Sequence, residues 1–155
     1  MARELLDRLQ DRMVDDLDGL ERSDDCLRFR ADARFAPLVG EILHDVAAEM
    51  LRVCIVVTVP AGAGTEFLVW CLSANAKYWD VKFGLDEQGR LLVHSDLDAH
   101  RGVEIDRIAN AVVERAETVV DLIDDDLIMW LMARGLGTPA QHTRWQNWAI
   151  DKAGE

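Results

Sequence analysis

Two histidines and two aspartates alternate along one short stretch and form the clearest set of side chains that could do chemistry. On an extended strand, all four would point to the same face. Imidazole and carboxylate groups are ligands for transition metals, although same-face positions lie about 7 Å apart and would require a bend to reach one ion. We therefore keep a metal-binding sensor or hydrolase as the alternative function and otherwise expect no metal or cofactor. The four residues are His94, Asp96, Asp98 and His100.

Three other patterns have simpler structural interpretations. The aspartates at 124–126 lack the spacing of a calcium loop and predict the capped start of a helical segment at 127–134. Residues 62–65 place two glycines between a strand and a helix but lack the lysine of a phosphate loop. There is no Gly-x-Ser-x-Gly elbow, and Cys71 lies on a predicted apolar helix face, where a thiol is a poor nucleophile. We therefore predict no catalytic residue and a non-enzymatic protein.

The five tryptophans outnumber the single tyrosine, and they are candidates for an interface as well as for the core. We expect Trp79 and Trp130 to pack in the core. Trp70 is predicted on the outer face of its helix, and Trp145 and Trp148 lie one helical turn apart on a polar segment. An indole provides a large contact area at low entropy cost. These three could contact a partner, with core packing as the other interpretation.

Composition indicates one acidic globular domain. The chain has 155 residues, a formal net charge of −12, 50% hydrophobic residues and three prolines, which is enough apolar material to build a core. The negative field disfavours direct contact with nucleic acid or anionic lipid. We find no apolar run of about 20 residues and no signal peptide. Three separated cysteines read as reduced thiols, so we expect a cytoplasmic protein.

The N-terminal residues 2–21 have the period of an amphipathic helix that ends near Gly19. The helix could dock on its own domain, or it could bind a client or a second copy. Its apolar stripe contains Leu6, Leu9, Met13, Leu17 and Leu20.

The middle of the chain combines predicted strands with one ambiguous segment. Residues 26–30 alternate like a half-exposed strand. Residues 53–59 are β-branched and apolar, which is typical of a central strand covered on both faces, and Pro60 ends it. Residues 36–51 have helical periodicity, so local pattern alone favours a helix there.

The second half of the chain predicts a helix, a hairpin and a long helix. Thr65 can cap the first helix, whose predicted apolar face is formed by Phe67, Leu68, Cys71 and Leu72. Residues 78–85 and 91–97 flank a polar insert containing Gly89, which is typical of a hairpin. From Glu104, apolar residues at steps of three and four predict a helix about 30 Å long.

From residue 65 onward the sequence resembles the YbjN family, bacterial proteins described as candidate sensory transduction regulators. The similar segments are a helix that ends in an asparagine-containing turn and the hairpin that follows it. These segments are residues 67–78, 81–86, 89–93 and 95–98. The long helix from Glu104 falls where the family has its last helix.

The resemblance implies an α+β fold like that of type III secretion chaperones. It implies the order α-β-β-β-α-β-β-α, a twisted antiparallel sheet covered by helices and, usually, a homodimer. It also places a strand within 36–51, and we follow it there because tertiary pairing can override local period. We predict one domain at 1–135 and a C-terminal helical arm at 136–155.

The function that this resemblance implies is non-enzymatic binding of a client protein. Such chaperones hold an extended client segment against apolar grooves and sheet edges, and the acidic charge favours a client with a basic segment. Some relatives look like partners of a single-strand DNA-binding repair protein in a stress response. We expect no direct contact with nucleic acid or membrane. The predicted client or dimer contacts are Leu6, Leu9, Met13, Leu17, Trp70, Ile105, Val112, Val119, Trp145 and Trp148.

Overall fold

The fold is α+β, as predicted, with helices packed on one antiparallel sheet. The computed structural model describes residues 2–35, 37–58 and 62–155. Helices and strands follow nearly the predicted order along the chain, with one additional strand near the N-terminus. The elements are α1 (Ala2–Met13), β1 (Asp18–Arg22), β2 (Cys26–Asp32), β3 (Pro37–Asp45), β4 (Met50–Val57), α2 (Gly64–Lys77), β5 (Lys82–Leu85), β6 (Leu91–Asp98), α3 (Ile105–Leu122), a π-helical segment (Ile123–Ile128), α4 (Met129–Ala133) and α5 (Pro139–Ala153).

The six strands form a single open sheet in the order β1-β2-β3-β4-β6-β5, and every pair is antiparallel. The predicted hairpin is confirmed, because β5 pairs with β6. Its turn is closed by Asp86, which accepts hydrogen bonds from the backbone of Gln88 and Arg90. Strand β6 lies between β4 and β5, so the two ends of the sheet are β1 and β5.

The core lies on one face of this sheet. Alternate residues of each strand point towards the helices, which the strand period of two requires. One cluster joins α1 and most of α3 to β2, β3, β4 and β6, and the other joins α2, the end of α3, the π-helical segment and α4 to β3, β4, β5 and β6. The close approach of β2 and β3 depends on Gly40, because a Cβ there would lie 2.0 Å from the Phe29 ring.

The N-terminal helix is shorter than predicted, because it ends at Met13 and residues Asp18–Arg22 form β1. The chain turns at residues 14–17, and Gly19, whose φ of 58° is favourable for glycine, lies within β1 where its register with β2 shifts. Leu17 remains buried in the same cluster as the helix. The leucine spacing therefore continued beyond the helix although the backbone conformation changed.

The ambiguous segment is a strand, which confirms the interpretation taken from the resemblance. Strand β3 pairs with β2 on one side and β4 on the other, and Leu38 and Ile42 point into the core. Pairing on both sides supplies backbone hydrogen bonds that the helical period of the sequence does not reveal. Ala36, where this segment was predicted to begin, lies outside the described residues.

Strand β4 is central, but its second face is only partly covered, in contrast to the prediction. Leu51, Val53 and Ile55 are buried in the core, whereas on the opposite face Cys54 is buried and Arg52 is exposed. That face therefore retains a polar environment, which is common in antiparallel sheets. Val59 and Pro60, the predicted end of the strand, lie outside the described residues.

The predicted long helix is confirmed, but it does not end before the three aspartates. Helix α3 continues through the π-helical segment directly into α4. The buried residues Ile123 and Leu127 extend its apolar stripe, which favours a continuous helix. The prediction that the aspartates cap a new helix is therefore wrong, and their carboxylates are available for other contacts.

The C-terminal helix α5 has its own start signal. Thr138 and Gln141 form a reciprocal capping box, and Pro139 occupies the first turn. None of the helices in the described ranges has both the length and the apolar character that crossing a bilayer requires. The division into a domain and an arm at residue 135 stays a prediction.

Candidate binding surfaces

Most of the residues predicted to contact a partner are instead packed inside the chain. The stripe of α1 and the inner face of α3 form one cluster with the sheet, so the folded chain does not present them at its surface. Their predicted role as contacts with a client or a second copy stays a prediction. The buried residues are Leu6, Leu9, Met13, Leu17, Val112 and Val119, and Ile105 is only partly buried.

The tryptophans are distributed differently from the prediction. Trp79, expected in the core, is 91% exposed. Trp70 is partly buried, and its ring lies 5.1 Å from the Phe83 ring and 6.0 Å from the Trp130 ring. Trp70 therefore helps to fix α2 on the sheet, and its role as a contact with a partner stays a prediction.

The four candidate metal ligands form two separate pairs. Asp96 accepts two hydrogen bonds from Arg52, at 2.7 and 2.9 Å, and His94 Nδ1 lies 3.5 Å from Asp96 Oδ1. Asp98 instead contacts His100 Nδ1 at 2.8 Å. No group of three or more His, Cys, Asp or Glu side chains that could hold an ion occurs among the described residues. The geometry gives the metal alternative no site.

The burial of two cysteines also disfavours nucleophilic chemistry. Burial raises the pKa of the Cys54 thiol to about 11, and burial alone raises that of Cys71 to about 11. Both thiols are therefore protonated near neutral pH and are poor nucleophiles. Burial lowers the pKa of His94, and the positive charge of Arg52 lowers it further.

A cavity of about 470 Å³ lies between α1, the β3–β4 turn and the loop after β6. Its lining carries charges of both signs, including Arg8 and Glu49, together with His44 and His100. No serine, threonine or cysteine is among its described lining residues. Among these residues, the cavity therefore offers no hydroxyl or thiol nucleophile.

An apolar surface is exposed on the outer side of α2. Helix α2 buries Phe67, Cys71 and Ala74 in the core. This orientation leaves the neighbouring Leu68 and Leu72 facing outward. They were predicted to be buried, but they are 47% and 70% exposed. We call the exposed residues Leu68, Val69, Leu72 and Leu85 the α2 patch.

A shallow cavity of about 390 Å³ adjoins the α2 patch. Leu68 and Leu85 line it together with the turn of residues 62–65. The lining is mostly small or apolar, so the cavity could accept an aliphatic side chain of another polypeptide. Large exposed apolar residues on neighbouring elements are typical of protein contact sites.

The β5 edge of the sheet is capped by one side chain. Asn75 Nδ2 donates to the Phe83 carbonyl at 2.9 Å, and the Phe83 backbone N–H donates to Asn75 Oδ1 at 2.7 Å. The amide thus satisfies the groups that an added strand would use at Phe83. At the other edge, the β1–β2 register shifts between Asp18 and Glu21. Neither edge offers a regular, open ladder along its length.

Helix α5 packs on the loop between β2 and β3. The Arg34 guanidinium lies 5.1 Å from the Phe35 ring centroid and 5.2 Å from that of Trp148. The Phe35 and Trp148 rings meet edge to face at 5.8 Å. Arg144 donates to the Ala33 carbonyl at 3.3 Å. The C-terminal segment thus covers part of the main cluster instead of extending into solvent.

The loop under α5 is held by an aspartate of the π-helical segment. The backbone N–H groups of Arg34 and Phe35 both donate to the Asp124 carboxylate at 3.1 Å. The Arg34 side chain pairs with Asp124 and also with Asp125. A buried carboxylate with several donors is a stable anchor for a loop.

Comparisons with known proteins identify the fold. No family model matches the chain, and no curated protein matches its sequence. Among solved structures, it is similar to YbjN from E. coli, a candidate transcription regulator, with a TM-score of 0.61 and 19% identity over 77% of this chain and 89% of that one. The chain has the YbjN fold. A chain of the ExsC–ExsE complex is similar with a TM-score of 0.59 and 15% identity, over 82% of this chain and 96% of that one. A chain of the HopA1–SchA chaperone–effector complex is similar with a TM-score of 0.51 and 14% identity, over 76% of this chain and 85% of that one.

These similarities confirm the predicted resemblance of the fold to YbjN and to secretion chaperones. At these identities, they concern the fold alone.

Sequence reasoning missed two features of these surfaces. The α2 patch could have been found from Ala74, because Phe67, Cys71 and Ala74 complete a core stripe that leaves Leu68 and Leu72 outside it. The Asn75 contact with the β5 edge has no comparable local signal, since it depends on how α2 docks against the hairpin.

Proposed function

We propose that this protein is a non-enzymatic, chaperone-like protein that binds a segment of a client polypeptide. The observation that carries the proposal is the α2 patch, where Leu68, Val69 and Leu72 are each about half exposed or more. Burying this apolar surface against a partner is favourable. The chaperone–effector complex among chains of the same fold supports this reading.

The client would contact the α2 patch mainly through apolar side chains. The cavity beside Leu68 and Leu85 is suited to one such side chain. Strand addition at β5 is disfavoured at Phe83, because the Asn75 amide already pairs with its backbone. We therefore propose side-chain anchoring as the principal mode, in place of a client strand that extends the whole sheet edge.

The charge and the proposed location of the protein restrict which proteins could be its client. A net charge of −12 keeps an exposed apolar surface in solution and favours a client with a basic segment. We propose action in the cytoplasm, without direct contact with nucleic acid. The narrowest form, in which the client is a single-strand DNA-binding repair protein in a stress response, rests on the sequence resemblance alone.

We also propose that the chain forms a homodimer. The two copies would meet outside the clusters around Leu9 and Val112, since those side chains are buried. Light scattering should give about twice the chain mass of 17.5 kDa. A mass that stays at one chain over micromolar concentrations would refute the dimer.

The client-binding proposal is tested by a photo-crosslinking amino acid at position 72 in the native host. The expected result is one stoichiometric protein partner, identified by mass spectrometry. Added wild-type protein should compete for the partner and reduce the crosslinking. Protein carrying Leu72→Asp should not compete, because the substitution places a charge in the apolar contact. Ser73→Asp is the matched control, with the same charge on a neighbouring exposed position of α2.

Two results would count against the proposal. If Leu72→Asp and Ser73→Asp compete equally well, the α2 patch does not bind the client. If Leu72→Asp instead halves the mass found by light scattering, the patch belongs to a second copy. The client-binding function would then lose the observation that carries it.

A further inference from the structure

The surface beneath α5 has the features of a site for a helix. Helix α5 lays Trp148 on the β2–β3 loop, and Trp145, three residues earlier, packs against the same core cluster. Seating one face of a helix in an apolar groove is a common way for one protein to hold a segment of another. We call the residues 32–35, which α5 contacts, the α5-docking surface.

The contacts with α5 are specific but few. Trp148 provides the aromatic anchor, stacking beside Arg34 and edge-on to Phe35. One turn earlier, Arg144 reaches the Ala33 carbonyl and lies 3.6 Å from the Asp32 carboxylate. A basic residue followed one turn later by an aromatic one is thus the pattern that this surface recognises.

The fit of α5 is incomplete. None of its side chains is fully buried, and the Trp145 Nε1 donor is shielded from solvent with no acceptor in range among the described residues. An unmade hydrogen bond lowers the stability of the docked state. A helix with the same basic and aromatic residues would bind at least as well if it provided an acceptor for this indole N–H or had no indole at that position.

The backbone of the docking surface is held independently of α5. The N–H groups of Arg34 and Phe35 donate to Asp124 of the π-helical segment. These hydrogen bonds do not involve α5, so they can persist after it leaves, whereas the Phe35 ring, which Trp148 helps to cover, would become more exposed. The site would then expose an apolar surface with a ready acidic group, because Asp32 is already 87% exposed.

Two glycines separate α5 from α4. Gly135 and Gly137 have φ values of 68° and 113° in the connection between α4 and α5. The capping box at Thr138 and Gln141 lies within the arm itself. The helix therefore keeps its start signal when it undocks.

We propose that residues 32–35 form a docking surface for an amphipathic helix of the client, and that α5 is its internal occupant. The partner helix has an aromatic residue one turn after a basic residue, as in the Arg144 and Trp148 pair. This inference rests on the proposed client-binding function and adds a second, gated site to the α2 patch. Client binding requires α5 to be displaced.

The test uses a fluorescein-labelled peptide of residues 138–155 as the probe helix, measured by fluorescence polarisation. The full-length double variant Arg144→Ala/Trp148→Ala releases α5 and should bind the peptide. The wild-type chain, whose own α5 occupies the site, should bind about tenfold more weakly. Ile150→Ala, a change at a 69% exposed position of the same helix, should behave like the wild type.

Further variants assign the binding to the proposed surface. Arg34→Ala, added to the double variant, should abolish peptide binding, and a peptide carrying Trp148→Ala should not bind. Circular dichroism verifies folding of each variant, and Trp148→Ala alone replaces the double variant if that does not fold. Equal binding by the released and wild-type chains, or no binding by a folded released chain, would overturn the inference.

The experiment separates this inference from the proposed function. Leu72→Asp, introduced into the released chain, should leave peptide binding unchanged, because the α2 patch is a different surface. Loss of client crosslinking at position 72 with retained peptide binding would refute only the α2 proposal. A wild-type dimer that the released variant converts to a monomer would assign the docking surface to a second copy and overturn the client assignment.

Discussion

Asp124 links two distant parts of the chain through one carboxylate. It is buried in a helix, yet its partners are two backbone N–H groups and the guanidinium of the β2–β3 loop. The charge is compensated by several donors, which makes its burial favourable. The acidic run at 124–126 therefore stabilises tertiary structure and does not cap a helix.

We predict that Asp124→Asn lowers the free energy of unfolding by about 2 kcal/mol, because charge-assisted hydrogen bonds are replaced by weaker ones. Urea unfolding followed by circular dichroism measures the change. Asp126→Asn is the matched control on the same helical segment and should cost much less. Equal losses for the two variants would contradict the anchoring role.

His94 gives stability a defined pH dependence. Burial lowers its pKa in the folded chain, so the unfolded chain binds the proton first as pH falls below about 6.5. Stability should then decrease until the pH reaches the folded pKa, since it rises with pH wherever the unfolded state binds more protons. His94→Gln should reduce this slope between pH 7 and 5 in urea titrations. An unchanged slope would show that His94 does not contribute.

At the scale of the elements, the orientation of α2 decides which residues face a partner. The pairs Phe67 with Cys71 and Leu68 with Leu72 both have helical spacing, so these pairs alone do not distinguish the two orientations of α2. The choice is made by the hairpin, where Asn75 binds the Phe83 backbone and Trp70 packs on the Phe83 ring. These tertiary contacts turn Leu68 and Leu72 to solvent.

Replacing Asn75 should both destabilise the chain and open the sheet. Asn75→Ala removes two hydrogen bonds, and we expect a loss of about 1–2 kcal/mol in unfolding free energy. The exposed β5 edge should also promote self-association, measured by light scattering over hours. Asn110→Ala, at an exposed position on α3, should change neither property. Unaltered association of Asn75→Ala would argue against the edge-capping role.

The local sequence pattern predicted an element well where burial of one face of that element is enough to determine its structure. The hairpin around Gly89 and the long helix from Ile105 are of this kind. It failed where pairing or docking decides, as in β3, whose helical period is overridden by neighbours on both sides. The resemblance corrected β3 because it carried information about topology. The α5-docking surface joins residues more than 100 positions apart, and no local spacing indicates it.

At the scale of the whole molecule, charge acts on stability as well as on partner choice. A net charge of −12 produces self-repulsion in the compact state. Exposed ion pairs such as Arg12 with Asp106 oppose it only weakly. The balance of these two effects can be measured with salt.

We predict that sodium chloride raises the midpoint of urea unfolding, because screening reduces repulsion among the excess carboxylates. Client binding should respond in the opposite direction and weaken with salt if the client segment is basic. Potassium fluoride at matched ionic strength checks that the effect is screening and not specific chloride binding. A midpoint that falls with salt would mean that attractive ion pairs outweigh the net charge.

The π-helical turn at Ile123–Ile128 sets the rotational phase of everything after it. A π-helical turn closes its hydrogen bonds one residue further along the chain than an α-helical turn, so this segment holds about one residue more than an α-helix would need to bring Leu131 and Met132 onto the core side. Deleting Asp126 should therefore convert the segment to α-helix and leave these two side chains buried, whereas deleting Met129 from α4 would turn them by about 100° away from the core. Length variation among close homologues should accordingly be tolerated at Ile123–Ile128 and after Ala133, and be rare within Met129–Ala133.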